Sequence, residues 1–339
     1  MTELTNPQAL LDHLESVPPT ELNAQLKRII SWSEQGDEAQ RQQLLAQLAQ
    51  RIEAQSLRSG LCALLTQYVA FPEQGVDAFV SSMLDLITSD TQDALEFLEA
   101  LSELSLPEDV DPDAMDPDEL DALKANLQRQ LAQQHPRISQ RAQRVKHAAG
   151  AALGVFERAR PALRAARASD AWRAAMEPLA PRLQEARMTL DLFECLDAQP
   201  VLFIELDTSQ CWRLRVDGVT DLKQLHALLA HTLVEPLEAD ALSIVDGSGP
   251  HFNGSWFQGR WTFYQSSEAD TALGADDPLS KLRVTQRAQS PHVVVCARRA
   301  QSYESWTLMR TFDMPATVDV LEHITDPDVI ESILVGLRG

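Results

Sequence analysis

Several protein classes are excluded by what the chain has little of. Only four of its 339 residues are cysteines, Cys62, Cys195, Cys211 and Cys296, and no two form a Cys-x-x-Cys pair. That leaves no pattern for a disulfide scaffold, a zinc site or a dithiol redox motif. Glycine (13) and proline (18) are too sparse for a collagen-like or low-complexity chain, while aliphatic residues are too frequent for a disordered one. No run approaches the roughly 20 apolar residues that span a bilayer. The longest, 201–206 and 293–295, have the length of buried strands. The opening MTELTNPQ carries neither the basic region nor the apolar core of a secretory signal. No GxGxxG follows a strand pattern and no GxxxxGK[ST] occurs, so the standard phosphate cradles are missing. These absences predict a cytoplasmic, bacterial-type protein with no membrane association, no metal and no cofactor.

Positive charge is scarce and unevenly placed. The chain carries 29 Lys and Arg against 50 Asp and Glu, for a formal net charge of −21. Residues 1–121 hold 24 acids and 5 bases (−19), residues 122–190 hold 4 and 13 (+9), and residues 191–339 hold 22 and 11 (−11). Opposite charges attract over a Debye length of roughly 8–10 Å at physiological salt. The basic segment is therefore expected either to dock on the chain's own acidic helices or to meet an acidic partner.

The hydrophobic period changes once along the chain. Up to about residue 198 it is helical. Asn6-Pro7 supplies a cap and a proline at the first helical position, and Leu10, Leu11 and Leu14 follow on one face. Similar stripes predict six short helices before residue 107, the last two centred on 79–87 and 95–104. No motif recurs at a fixed period, which points to an irregular helical bundle or short solenoid. The segment PEDVDPDAMDPDELD (107–121) then breaks the composition. Asp109, Asp111 and Asp113 match the first ligand positions of a calcium loop, but Ala114 and Leu120 stand where that loop needs glycine and glutamate. The segment reads instead as an acidic linker ending in a helix start, with Asp116 as cap and Pro117 at the first position. The next helix carries Leu120, Leu123, Leu127 and Leu131 and meets His135-Pro136. Beyond it Arg137, Arg141 and Arg144 share one helix face, and Arg160, Arg164 and Arg167 repeat the spacing.

After Pro200 the pattern becomes β-type. A hairpin is predicted over 201–206 and 211–216, and a helix from Leu222 to Leu233. Strands follow over 241–245, 256–264, 282–285, 292–298 and 305–312, then helices over 316–324 and 327–336. The fold class expected is α+β multidomain: an irregular all-α N-terminal part followed by a C-terminal α+β domain with a mostly antiparallel sheet covered on one face. The organisation expected is an acidic helical domain (1–106), the linker (107–121), a basic helical segment formed by a long helix or helical hairpin (122–198) and the α+β domain (199–339).

Chemistry-bearing residues are few. The Gly-rich stretch 246–260 holds Asp246, His251 and Asn253, with Arg260 at its end; an Asp beside a His is the pairing a general base and its orienter require. No GxSxG elbow or third triad member accompanies it, and a plain connecting loop whose glycines satisfy turn geometry is the favoured reading. His226 and His231, five apart on one helix, point about 140° apart and make poor co-ligands. Glu205 and Asp207 lie on the same side of a strand without the lysine a nuclease-like site needs. The arginine stripes, Arg137, Arg141, Arg144, Arg160, Arg164 and Arg167, are the candidate binding residues. On these grounds a non-enzymatic protein-binding adaptor or regulatory subunit is the expected function. The alternatives are a hydrolase using the 246–260 loop and a nucleic-acid-associated protein using the arginines.

Overall fold

The computed structural model describes residues 6–55, 58–72, 75–107, 115–246, 255–264, 271–274, 276–283, 292–300, 305–308, 312 and 314–338. The chain forms two compact units, Met1–Leu190 and Asp191–Gly339. The first is helical; the second is an α+β arrangement.

The helical unit consists of α1 (Pro7–Ser16), α2 (Leu22–Gln35), α3 (Glu38–Glu53), α4 (Ser59–Leu65), α5 (Val76–Ser102), α6 (Pro117–Gln134), α7 (Pro136–Arg158), α8 (Arg160–Ala168) and α9 (Asp170–Met176); α10 (Gln184–Phe193) begins within it. Local chemistry sets the starts. The Asn6 side chain accepts from the Ala9 N–H at 2.7 Å, Asp37 and Gln40 form a reciprocal capping box, and Asp116 accepts from the Asp118 N–H ahead of a helix opened by Pro117. Arginines close the ends. Arg58 donates to the carbonyl of Leu14 (2.6 Å) in the last turn of α1 and to that of Val17 (2.5 Å) just past it, Arg41 to those of Ser33 and Glu34 in α2, and Arg158 to those of Gln67 and Val69 past α4. The last carbonyls of a helix have no internal partner and carry partial negative charge, so a guanidinium satisfies both needs. Arg58→Ala is accordingly expected to lower the unfolding free energy by about 2 kcal/mol, read from the midpoint of urea denaturation; no shift in midpoint would show that water replaces the guanidinium without loss.

The stripes 79–87 and 95–104, expected as two helices, belong to the single 27-residue α5. The polar stretch between them suggests a loop, yet Ser89 and Thr91 return their hydroxyls to the carbonyls of Leu86 and Ile87, and Asp90 is buried against α7. α5 and α7 are the principal helix pair of the unit. α7 presents Ala142, Ala148, Ala149, Ala151 and Ala152 to the core, and small residues let helix axes approach closely. At Gly154 an added Cβ would lie 2.8 Å from the Gln67 side chain. Farther on, Phe156 meets Trp172 edge to face at 5.0 Å.

The second unit contains β1 (Gln199–Glu205), β2 (Gln210–Asp217), α11 (Leu222–Leu233), α12 (Ala239–Asp246), β3 (Ser255–Gln258), β4 (Trp261–Tyr264), α13 (Ser280–Arg283), β5 (Val293–Arg299), β6 (Ser305–Leu308), β7 (Thr317–Ile324) and α14 (Pro327–Arg338). The five-stranded sheet has the order β4-β5-β1-β2-β7, antiparallel except for β1 beside β5; β3 and β6 pair separately.

Five expectations are corrected here. The 241–245 run is helical (α12), and 282–283 lie in the one-turn α13: short apolar runs do not distinguish strand from buried helix. The 256–264 strand is two strands in different sheets, parted at Gly259-Arg260. The 316–324 helix is β7. Its apolar residues Val318, Val320, Leu321 and Ile324 fit both periods, and pairing with β2 decides, through Arg213–Glu322 (2.7 Å), Arg215–Asp319 (2.9 Å) and His323 stacked on Trp212. A register shift opposite Arg213 and Leu214 leaves Leu321 as the extra residue of a bulge. The sheet is also covered on both faces at its centre, not on one. Val201 and Phe203 pack toward α11 and α12, while Leu202, Ile204, Val294 and Cys296 pack with Ile330 of α14. The unbroken runs Val201-Leu-Phe-Ile204 and Val293-Val-Val-Cys296 are the pattern of parallel strands buried on both sides.

Candidate functional site

Of the residues proposed in the 246–260 stretch, His251 and Asn253 lie outside the described residues, as do Asp109, Asp111 and Asp113 of the acidic segment. Asp246 ends α12, and its carbonyl accepts from the Ala316 N–H. The Arg260 guanidinium is ion-paired with Glu235. The Arg260 backbone N–H donates to His226 Nε2 at 2.9 Å, and the Trp261 N–H to the same atom at 3.1 Å. His226 is 2% exposed and lies between Trp261 and Phe263; desolvation pushes its pKa down to about 3. The ring is therefore neutral at physiological pH, an acceptor that ties helix α11 to the start of β4. His231 likewise serves the backbone, accepting from the Leu237 N–H at 2.8 Å. Glu205, buried, accepts from Arg299 Nε (2.8 Å) and the Thr208 hydroxyl (2.7 Å), and Asp207 from the Arg299 N–H (2.6 Å). These carboxylates anchor the end of β5. Among the described residues no group of three or more His, Cys, Asp and Glu is placed to hold a metal ion, and no helix is long and apolar enough to cross a membrane.

One pair in the helical unit has no motif in the sequence. Ser59 Oγ lies 3.0 Å from His147 Nδ1, although the two residues are 88 positions apart in the chain. Burial lowers the histidine pKa, and the ring lies against Gly60, where an added Cβ would come within 3.0 Å of Nε2. The arrangement locks α4 onto α7.

The first arginine stripe faces α5. Arg141 pairs with Asp93 (2.9 Å) and Asp90 (3.4 Å), Arg144 pairs with Asp90, and Arg137 reaches Asp93 at 3.5 Å. Asp90 is 1% exposed, so two guanidinium groups neutralise a carboxylate that water does not reach. Charge from the +9 segment thus meets charge from the −19 segment within one unit. The second stripe lies on α8, with Arg164 exposed and Arg160 and Arg167 half-buried, while Ala162, Leu163 and Ala166 face the core.

Two cavities flank the first half of α7. The larger, about 640 Å³, is bounded by α5, α6, α7 and the start of α10. Phe97, Leu98, Leu101 and Leu183 give it an apolar floor, and Arg129, Lys146, Arg182 and Glu185 stand around it. Its rim ion pairs are long: Lys146–Glu185 is 3.9 Å and Arg182–Glu99 is 3.6 Å. α6 buries none of its residues completely; Leu120, Leu123, Leu127 and Leu131 are all half-buried. The smaller cavity, about 290 Å³, lies between the end of α3 and the arginine face of α7. Sequence periodicity locates the arginines but not either cavity, because each is assembled from helices remote in the chain. No protein-family profile, curated protein or solved structure matches the chain.

Proposed function

We propose that the chain is a non-enzymatic protein-binding adaptor, or the regulatory subunit of an assembly, whose docking surface is the groove bounded by α5, α6, α7 and the start of α10. The observation that carries this reading is the union in one cavity of an apolar floor with three rim cations, Arg129, Lys146 and Arg182, which outnumber the rim acids Glu185 and Glu99. Apolar surface in an open groove is more stable covered than hydrated, and a ring of cations selects among the helices able to cover it. The partner is an amphipathic helix with apolar anchors at i, i+3, i+4 and i+7 and acidic flanks. The same reading sets the protein in a reducing cytoplasm, where the four free, buried thiols stay reduced.

Affinity capture from the cells of origin, quantified by mass spectrometry, tests this with the wild type beside the triple variant R129E/K146E/R182E. At least one protein held by the wild type is expected to fall about tenfold or more on charge reversal, the equivalent of about 1.4 kcal/mol. An identical bound set for both proteins would sink the reading. Turnover of a substrate by the purified protein, abolished by Asp246→Ala, would replace it with the hydrolase alternative.

A further inference from the structure

We infer that the smaller cleft, on the arginine face of α7, receives a phosphate monoester carried by the partner; this rests on the adaptor reading above. The cleft is lined from α7 by Arg137, Gln140, Arg141 and Arg144 and from the end of α3 by residues 53–55. Its cations are held from behind. Asp90 and Asp93 on α5 fix the guanidinium groups of Arg141 and Arg144, so little side-chain freedom remains to be lost when a ligand arrives. Arg137 is different: its side chain is 76% exposed, and its one ion pair here is the 3.5 Å contact with Asp93. A guanidinium has five N–H donors, so Arg137 retains donors for a ligand.

The opposite wall is built with similar care. Gln55 follows the C-cap of α3 and adopts φ +48, the left-handed conformation in which helices commonly end. Its side-chain amide donates to the Gln140 carbonyl across the cleft. The charges facing the ligand are Arg137, Arg141 and Arg144 from one side, with Asp90 and Asp93 behind them and the exposed Glu53 on the rim. Formal charge therefore balances, and attraction for a simple monoanion is weak. What the cleft rewards is an acceptor that takes several fork donors at once. A phosphate monoester presents three peripheral oxygens and close to two negative charges at neutral pH, where a carboxylate presents two oxygens and one charge.

Titration of inorganic phosphate at pH 7.5, followed by the arginine Nε–Hε resonances of the full chain, tests the site. Saturable shifts at Arg137 and Arg141 with a roughly millimolar Kd are expected. Arg137→Ala, at the most exposed of the three positions, is expected to weaken binding about tenfold, and Arg28→Ala, at an exposed position of α2, to leave it unchanged. Shifts that fail to saturate, equal binding by Arg137→Ala, or acetate binding as tightly as phosphate would each overturn the inference. Phosphatase treatment before affinity capture distinguishes the sources. Loss of the groove-dependent partner is expected for a partner-borne phosphate; undiminished capture together with saturable phosphate binding would assign the cleft to a free phosphate compound and overturn the partner-borne form. Groove-dependent capture without phosphate binding refutes this inference alone, whereas phosphate binding without groove-dependent capture refutes the adaptor reading and, with it, the partner as the source of the phosphate.

Discussion

Asp90→Ala is expected to lower the unfolding free energy by about 3 kcal/mol or more, the range seen when one partner of a buried ion pair is removed. The side chain is 1% exposed and sits in the middle of α5, paired with both Arg141 and Arg144. Without the carboxylate, two cations face each other across a site shaped around a negative charge. Asp90→Asn keeps volume and an acceptor but not the charge, and is expected to cost about half as much. Arg144→Ala leaves Asp90 with Arg141 and should cost less than removing the carboxylate. A double-mutant cycle on Asp90 and Arg144 is expected to give a coupling of about 1–3 kcal/mol. Moderate salt should change the wild-type value little, because screening acts weakly on a pair removed from water. Urea denaturation monitored by circular dichroism measures all of these. A loss under 1 kcal/mol for Asp90→Ala at unchanged denaturant dependence would mean that the arginines rehydrate without cost and that the cluster does not hold α5 to α7.

The second large effect is a loss of stability on acidification traced to His226. Its folded pKa, about 3, lies far below the ordinary value of 6.5 because the ring is buried. The unfolded chain therefore takes up a proton as pH falls below about 6.5, while the folded chain does not. The contribution is complete above pH 6.5 and is lost progressively as pH falls toward the folded value, at about 1.4 kcal/mol per pH unit for one proton. His226→Gln removes this titration and keeps an acceptor near the N–H groups of Arg260 and Trp261, so its stability should fall less steeply between pH 6 and 4. His226→Ala leaves both N–H groups unpaired and empties the space beside Trp261 and Phe263, an expected loss of about 3 kcal/mol at neutral pH. His147, also held below its ordinary value by burial, contributes a slope of the same sign in the helical unit. Hydrogen exchange at the Trp261 amide, compared between wild type and His226→Gln across pH, isolates the His226 effect. Equal slopes for the two proteins would refute it.

The local elements were legible wherever one residue controls one hydrogen bond or one face. Asn6 and Asp116 cap the helices their positions announce, and the hairpin expected over 201–206 and 211–216 is formed by β1 and β2. The arginine spacing correctly put Arg137, Arg141 and Arg144 on one helix face. Short apolar runs were not legible. The α12 and β7 segments carry apolar spacings compatible with helix and strand alike, and the choice between them lies in partners far along the chain: α11 and β3 for α12, β2 for β7. The polar middle of α5 misleads for a related reason. Asp90 looks like a loop residue until the arginines some fifty positions later are brought against it.

By itself the amino-acid sequence determined the two fold classes, the change of period near β1, the caps and the segregation of charge, because each depends on residues within a few positions of one another or on simple counts. Only the tertiary structure decided how the arginine stripe is used, that one imidazole bonds two backbone N–H groups of another element, and where the groove and the cleft lie. A buried charge, a neutral histidine and a cavity are properties of what surrounds a residue, and those surroundings come from helices and strands distant in sequence. The excess of negative charge in the first third thus serves in part to receive the arginines of α7, leaving Arg137 with donors to spare at the mouth of the cleft.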